Sequence, residues 1–200
     1  MIPQTFIFIG KSGSGKGTQI DLLKKYISDL DPSIDTHSFV MGDVFRTFMR
    51  GEGYAQETIK KIASEGRLVP DLIANSMFVS NLLNNLKSND HLYIDGIPRS
   101  PLQAEAIIEI IKFYNRSNPI IINIEVSDEE VKRRMILRAR ADDTQEAISE
   151  RLKYYNENVT PALLVLKEKS DFIYLEINGE RTIEEIHTDI VEQLKNILKI

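Results

Sequence analysis

The chain has 200 residues, with 25 basic and 30 acidic side chains, a formal net charge of −5 and no cysteine. That length fits one domain, and 42% apolar with 28% charged residues is a globular composition that excludes a disordered chain. The missing cysteines exclude a disulfide framework and a thiolate zinc site, and the acidic balance speaks against a general nucleic-acid binder, which carries a basic stripe.

Thr5–Ile9 (TFIFI), β-branched and aromatic and closed by Gly10, predicts a buried strand. Ile20, Leu22, Leu23 and Ile27 have helical spacing and predict a helix over 17–27. Asp31-Pro32-Ser33 breaks the chain, and a second strand is expected over 36–41. Helices follow over 43–50, 55–64 and 71–86, punctuated by Gly51, Gly53 and Gly66. A short strand at 91–94 precedes a helix over 101–114. IIINIEV at 120–126 is the strongest strand signal. Helices over 129–138 and 144–169, a strand over 172–177 and a helix over 182–198 complete the pattern. Such alternation predicts βαβ units in a three-layer α/β fold, with a mostly parallel sheet of about five strands. Ligands of such sheets bind beyond the carboxyl ends of the strands, so functional residues are expected just after Ile9, Met41, Ile94 and Val126.

The opening MIPQTFIFIG has too short an apolar run for a secretory leader and no basic segment before it. No window approaches the ~18 consecutive apolar residues of a membrane span. A cytoplasmic protein without membrane or nucleic-acid partners is expected.

Gly10-Lys11-Ser12-Gly13-Ser14-Gly15-Lys16-Gly17-Thr18 lies between an expected strand and an expected helix, the setting of a phosphate-binding loop. Glycines let backbone N–H groups approach an anion, and the helix N-terminus adds its positive dipole end. Lys16 places a point charge where charge moves in phosphoryl transfer. Gly17 stands directly after the lysine, where P-loop NTPases use a hydroxyl on Mg²⁺; here the hydroxyl comes one place later, at Thr18.

Lys16-Gly17-Thr18-Gln19 resembles the signature of nucleoside monophosphate kinases, and of the adenylate kinase family in particular. Further blocks resemble that family in the same order: Gly42-Asp43-Val44-Phe45-Arg46, Gly66-Arg67-Leu68-Val69-Pro70-Asp71, Asp95-Gly96-Ile97-Pro98-Arg99 with Gln103, and Arg140-Ala141-Asp142-Asp143 with Arg151-Leu152. The resemblance implies a P-loop NTPase-type sheet and Mg²⁺-dependent transfer of the γ-phosphoryl of ATP to AMP, giving two ADP. It implies an ATP site at Gly13, Ser14, Gly15, Lys16, Gly17, Thr18, Arg134, Arg138 and Arg181. It implies an AMP site at Met41, Gly42, Arg46, Leu68, Val69, Gly96, Arg99, Gln103, Arg140 and Arg151. The phosphoryl in transit falls to Lys16, Arg99, Arg138, Arg140 and Arg151. Asp95 matches a carboxylate that holds Mg²⁺ through its waters; no zinc is implied. A helical AMP-binding insertion is expected at about 42–71 and a very short lid at about 138–151, within a core of 1–41, 72–137 and 152–200.

Arginine suits the task because its planar fork bonds two phosphate oxygens and stays charged. Alternative readings stand for single residues. Arg134, in the run Lys132-Arg133-Arg134, could be a solvated face, and Asp142-Asp143 could cap a helix instead of positioning Arg140. Tyr154 and Tyr155 are expected as packing residues, as are His37, His91 and His187. A Gln103 amide can match adenine by donating and accepting at once, whereas Met41 stands where threonine is usual in the family. Only Ala139 separates Arg138 from Arg140, so the lid lacks the insert of longer relatives. A monomer is expected. The rival readings are a kinase for another nucleoside monophosphate and a sensor that binds ATP and AMP without transfer.

Overall fold

The computed structural model describes residues 2–65, 67–138 and 144–199. Among them, β1 (Thr5–Ile9), β2 (Asp35–Val40), β3 (Asp90–Asp95), β4 (Ile120–Glu125) and β5 (Ile173–Asn178) form one parallel sheet in the order β2-β3-β1-β4-β5. The helices are α1 (Lys16–Leu30), α2 (Met41–Met49), α3 (Tyr54–Ser64), α4 (Asp71–Asn85), α5 (Pro101–Phe113), α6 (Asp128–Arg138), α7 (Gln145–Tyr154), α8 (Thr160–Lys167) and α9 (Ile183–Leu198).

Strand side chains alternate between faces, and β1 shows how both faces are filled. Ile7 and Ile9 join a core with Phe78 and Leu82 of α4, Ile107 and Ile111 of α5 and Leu166 of α8. Phe6 and Phe8 join a second core with Leu23 and Ile27 of α1, Val131 and Met135 of α6 and Ile190 and Leu194 of α9. This is the expected three-layer arrangement. From β1 the chain runs to the far edge at β2, returns through β3, then crosses to β4 on the other side of β1. The connections therefore diverge at the carboxyl end of β1, where open α/β sheets bind ligands.

Two elements differ from the sequence reading. Met41 opens α2 instead of closing β2; it is 2% exposed, and an apolar residue at such a junction satisfies either pattern. The single helix expected over 144–169 is two helices joined by a π turn at Tyr155–Val159. There the Thr160 N–H reaches back to the Tyr155 carbonyl, and Pro161 in the next turn has no N–H to continue the ordinary ladder. The extra residue changes the face the helix buries. Ile148 and Leu152 pack in one core, Tyr155, Val159 and Leu163 in the other.

Candidate active site

The loop between β1 and α1 is shaped by glycines. Gly10 has φ +149°, and a Cβ there would lie 2.7 Å from the Ile124 carbonyl oxygen of β4. Gly13 has φ +88°, and a Cβ would meet Met135 Cγ of α6 at 2.9 Å. No side chain fits either place without displacing its neighbour. Lys16, the first residue of α1, curls back over the loop; its Nζ donates to the Gly10 carbonyl at 2.7 Å and the Lys11 carbonyl at 3.0 Å. Ser14 is fully buried and its Oγ has no partner. The first turn of α1 contains no acidic residue, so nothing local offsets its positive end; Gly17 and Thr18 are exposed there.

Charge concentrates at this point. Burial pushes the Lys16 ammonium below its ordinary range; Asp95 opposes the shift, and Arg99 and Arg138 reinforce it. Arg99 is likewise pushed down by burial, with Tyr154 and Asp95 opposing and Arg151 reinforcing. Lys16 thus feels Arg99 and Arg138, Arg99 feels Arg151, and both Lys16 and Arg99 feel the Asp95 carboxylate at the end of β3. Cations crowded in this way gain by taking in a polyanion.

The arginine after β3 is held along its backbone. The Arg99 N–H donates to Gln103 Oε1 at 2.7 Å, its carbonyl accepts from the Tyr154 hydroxyl, and its Nε donates to the Gly96 carbonyl at 2.9 Å. Gly96, at φ +80°, leaves space between Met41 and Arg99; a Cβ would lie 3.3 Å from Met41 Cβ. Gln103 is 4% exposed, and its Nε2 donates to Asp71 Oδ1 at 2.7 Å. Ser100, the N-cap of α5, donates to Asp71 Oδ2 at 2.7 Å. Arg99, Ser100, Gln103 and the first residue of α4 are therefore one network. Tyr154 does more than pack, a role its sequence position gave no sign of.

The β4 and β5 ends form the other half. Arg134 is no solvated face: its Nε donates to Glu130 Oε1 at 2.7 Å and a terminal nitrogen to the Gly179 carbonyl at 2.8 Å. Arg181 pairs with Asp189 and donates to the Asn178 carbonyl at 3.3 Å. Beside them opens a cleft of about 650 Å³ lined by Lys11, Val126, Ser127, Asn178, Glu180 and Arg181, among others. Lys11 crosses from the phosphate loop to donate to the Val126 carbonyl at 2.9 Å and pair with Asp128 at 2.5 Å.

Gly179 was also missed in the sequence. A Cβ there would lie 2.6 Å from methyls of both Ile124 and Val126 and 3.0 Å from the Glu125 carbonyl. Gly179→Ala should therefore destabilise the protein by ~1–3 kcal/mol, the usual cost of overpacking, in a denaturant titration.

Asp95 tests the site for a metal. Its Oδ1 is buried without a partner. Among the described residues no three of His, Asp or Glu gather to hold a metal. One carboxylate with free acceptor capacity suits Mg²⁺, which keeps waters and takes further ligands from substrate phosphates. The donor set fits that ion.

The remaining expected residues are placed as follows. Arg46 is 58% exposed and pairs with Asp43 in α2, its guanidinium lying over Gly42. Leu68 is exposed and Val69 half-buried before α4. Arg140, Asp142, Asp143 and Gly66 lie outside the described residues.

A family model described as adenylate kinase matches residues 8–171. The adenylate kinase of Leptospira biflexa serovar Patoc is 33% identical over 192 residues, covering 94% of this chain and 98% of that protein. That of Corynebacterium aurimucosum is 34% identical over 183 residues, covering 91% and 94%. That of Bacteroides fragilis is 31% identical over 198 residues, covering 96% and 98%. Phosphate loop, clustered arginines and near full-length similarity agree: the chain belongs to the adenylate kinase family.

Proposed function

We infer that the protein reversibly transfers the terminal phosphoryl group of ATP to AMP, giving two ADP, with Mg²⁺. The observation that carries this is the convergence of Lys16 from the phosphate loop and Arg99 from the β3 loop around Asp95. Two polyanions must meet end to end, and fixed positive charge offsets their repulsion.

In this reading Gly13 to Thr18 cradle the ATP phosphates. Arg134 and Arg181 flank the adenine, and Arg138, Arg140 and Arg151 reach the phosphoryl group. Met41, Gly42, Arg46, Leu68, Val69, Gly96, Arg99 and Gln103 form the AMP side. An oxygen of the AMP phosphate attacks the γ-phosphorus in line, and the bond from that phosphorus to the β–γ bridging oxygen breaks. The attacking oxygen is ionised at neutral pH, so positioning and charge suffice without a general base. Lys16 and the arginines hold the oxygens on which charge accumulates. Asp95 would hold Mg²⁺ through its waters; the ion neutralises phosphate charge when bound. Gln103 keeps one acceptor lone pair and one N–H beyond its bonds to Arg99 and Asp71, enough to read an adenine edge.

Residues 42–71 serve in this reading as the insertion that carries AMP, and 138–151 as the short lid. The protein acts as a cytoplasmic monomer on ATP, AMP and ADP. Among the described residues no helix is long and apolar enough to cross a membrane.

The test is diphosphate formation from ATP with AMP, CMP, UMP or GMP in turn. AMP should give the highest kcat/KM by at least about tenfold, since a pocket that hydrogen-bonds a base loses ~1–3 kcal/mol per unmatched partner. A preference for another monophosphate moves the reading to a kinase for that base. Nucleotide binding without product moves it to a sensor.

A further inference from the structure

We propose that Tyr154 is a positioning residue for AMP: its hydroxyl fixes the carbonyl of Arg99 and so sets the direction in which that guanidinium meets the AMP phosphate. The inference rests on the reading that Arg99 binds AMP.

The argument starts from what holds Arg99. The residue sits between the end of β3 and Ser100, the N-cap of α5. Its N–H is taken by Gln103 Oε1 and its Nε by the Gly96 carbonyl. Both contacts come from within its own loop and the first turn of α5, so they move with it. The carbonyl contact is different. Tyr154 lies 55 residues away, in the last turn of α7, and ties the loop to a separate element. With that bond the Arg99 backbone is held on both sides, and the side chain leaves it in one direction. Without it, the loop is referenced to α4 alone, through the bonds of Ser100 and Gln103 to Asp71, and nothing among the described residues fixes the Arg99 carbonyl.

The placement on α7 adds a second point. Arg151 lies three residues before Tyr154, one turn along the same helix, so the two share a face. The α7 turn that brings Arg151 toward Arg99 is therefore the turn that grips the Arg99 backbone. Tyr154 sets the spacing of two phosphate-facing arginines from different parts of the chain. Its neighbour Tyr155 has no such part: it is buried in the core below. Tyr154 packs only at the margin of that core, which leaves its hydroxyl free to reach Arg99.

The experiment is steady-state kinetics of Tyr154→Phe, which removes the hydroxyl and keeps the ring. KM for AMP should rise about fivefold, the loss of one ordinary hydrogen bond, while KM for ATP stays within about twofold. A purely structural role would lower the melting temperature and leave the ratio of the two KM values unchanged; that result overturns the proposal. The second arm is Arg99→Met alone and combined with Tyr154→Phe. If Tyr154 acts through Arg99, the double variant has the KM for AMP of Arg99→Met alone. Independent, multiplying effects would show that Tyr154 acts elsewhere and sink the idea. If Arg99→Met itself leaves KM for AMP unchanged, the AMP reading of Arg99 falls and the proposal falls with it. If Arg99→Met raises it and Tyr154→Phe does not, only the positioning role is lost. The melting temperature of each variant confirms that the folded protein is being compared.

Discussion

Lys16→Met should lower ADP formation by about 10²- to 10³-fold, the usual loss when one preorganised group facing developing charge is removed. The melting temperature without nucleotide should change little. In the free protein the ammonium bonds, among the described residues, to two carbonyls of its own loop, and burial together with Arg99 and Arg138 disfavours its charged form. Methionine loses those two bonds and relieves that crowding, so the two effects offset. Coupled turnover and thermal unfolding, measured on the same preparation, check both halves. Near-normal turnover would remove this loop from the chemistry; a collapse of the melting temperature would make the lysine a structural residue.

Arg99→Met should reduce kcat/KM for AMP by about two to four orders of magnitude, since each charged hydrogen bond to a phosphate contributes ~1.5–3 kcal/mol and a guanidinium can make two. Binding of ATP alone should weaken far less, because its cradle is the backbone of a different loop. Calorimetric titration with each nucleotide separates the two. The melting temperature should stay within a few degrees of the wild type, because the lost bond to the Gly96 carbonyl is countered by relief of a buried cation. Equal loss for both nucleotides would place Arg99 on the shared phosphoryl position instead of the AMP side.

Legibility in the sequence followed the range of the interaction. TFIFI at 5–9 coincides with β1 because a short, fully buried strand needs only a run of β-branched and aromatic residues. The other strands lie within about one residue of their expected bounds, for the same reason. Gly10, Gly13, Gly15 and Lys16 were readable because backbone geometry and a phosphate demand those types at that spacing. The π turn was not: Pro161 marks the place, but the outcome depends on which core Tyr155 and Val159 enter, a tertiary matter. The Gln103 amide suits an adenine edge from its sequence position alone, but its further bonds to Arg99 and Asp71, partners 4 and 32 residues away, are set by the fold. The contacts of Tyr154 and Lys11 left no mark in the sequence, since their partners Arg99, Val126 and Asp128 become neighbours only in the folded chain.

The contacts between the phosphate loop and α6 have a mechanical consequence. Gly13 is packed under Met135, and Lys11 is tied to both the first residue after β4 and the first residue of α6. Loop and helix base are one solid piece, keyed by a glycine that no larger residue can replace. In the proposed reaction, a movement of Arg138 toward ATP would then start from the turn of α6 beyond Met135, because the turn nearer the loop is packed against Gly13. In the proposed reaction the backbone of the triphosphate cradle would thus be set when the chain folds, leaving the Lys16 side chain to turn from the loop carbonyls to the nucleotide. If phosphoryl transfer needs closure, the outer turn of α6 and α7 are where it would act, and substitutions there should change turnover before they change how tightly phosphate is held.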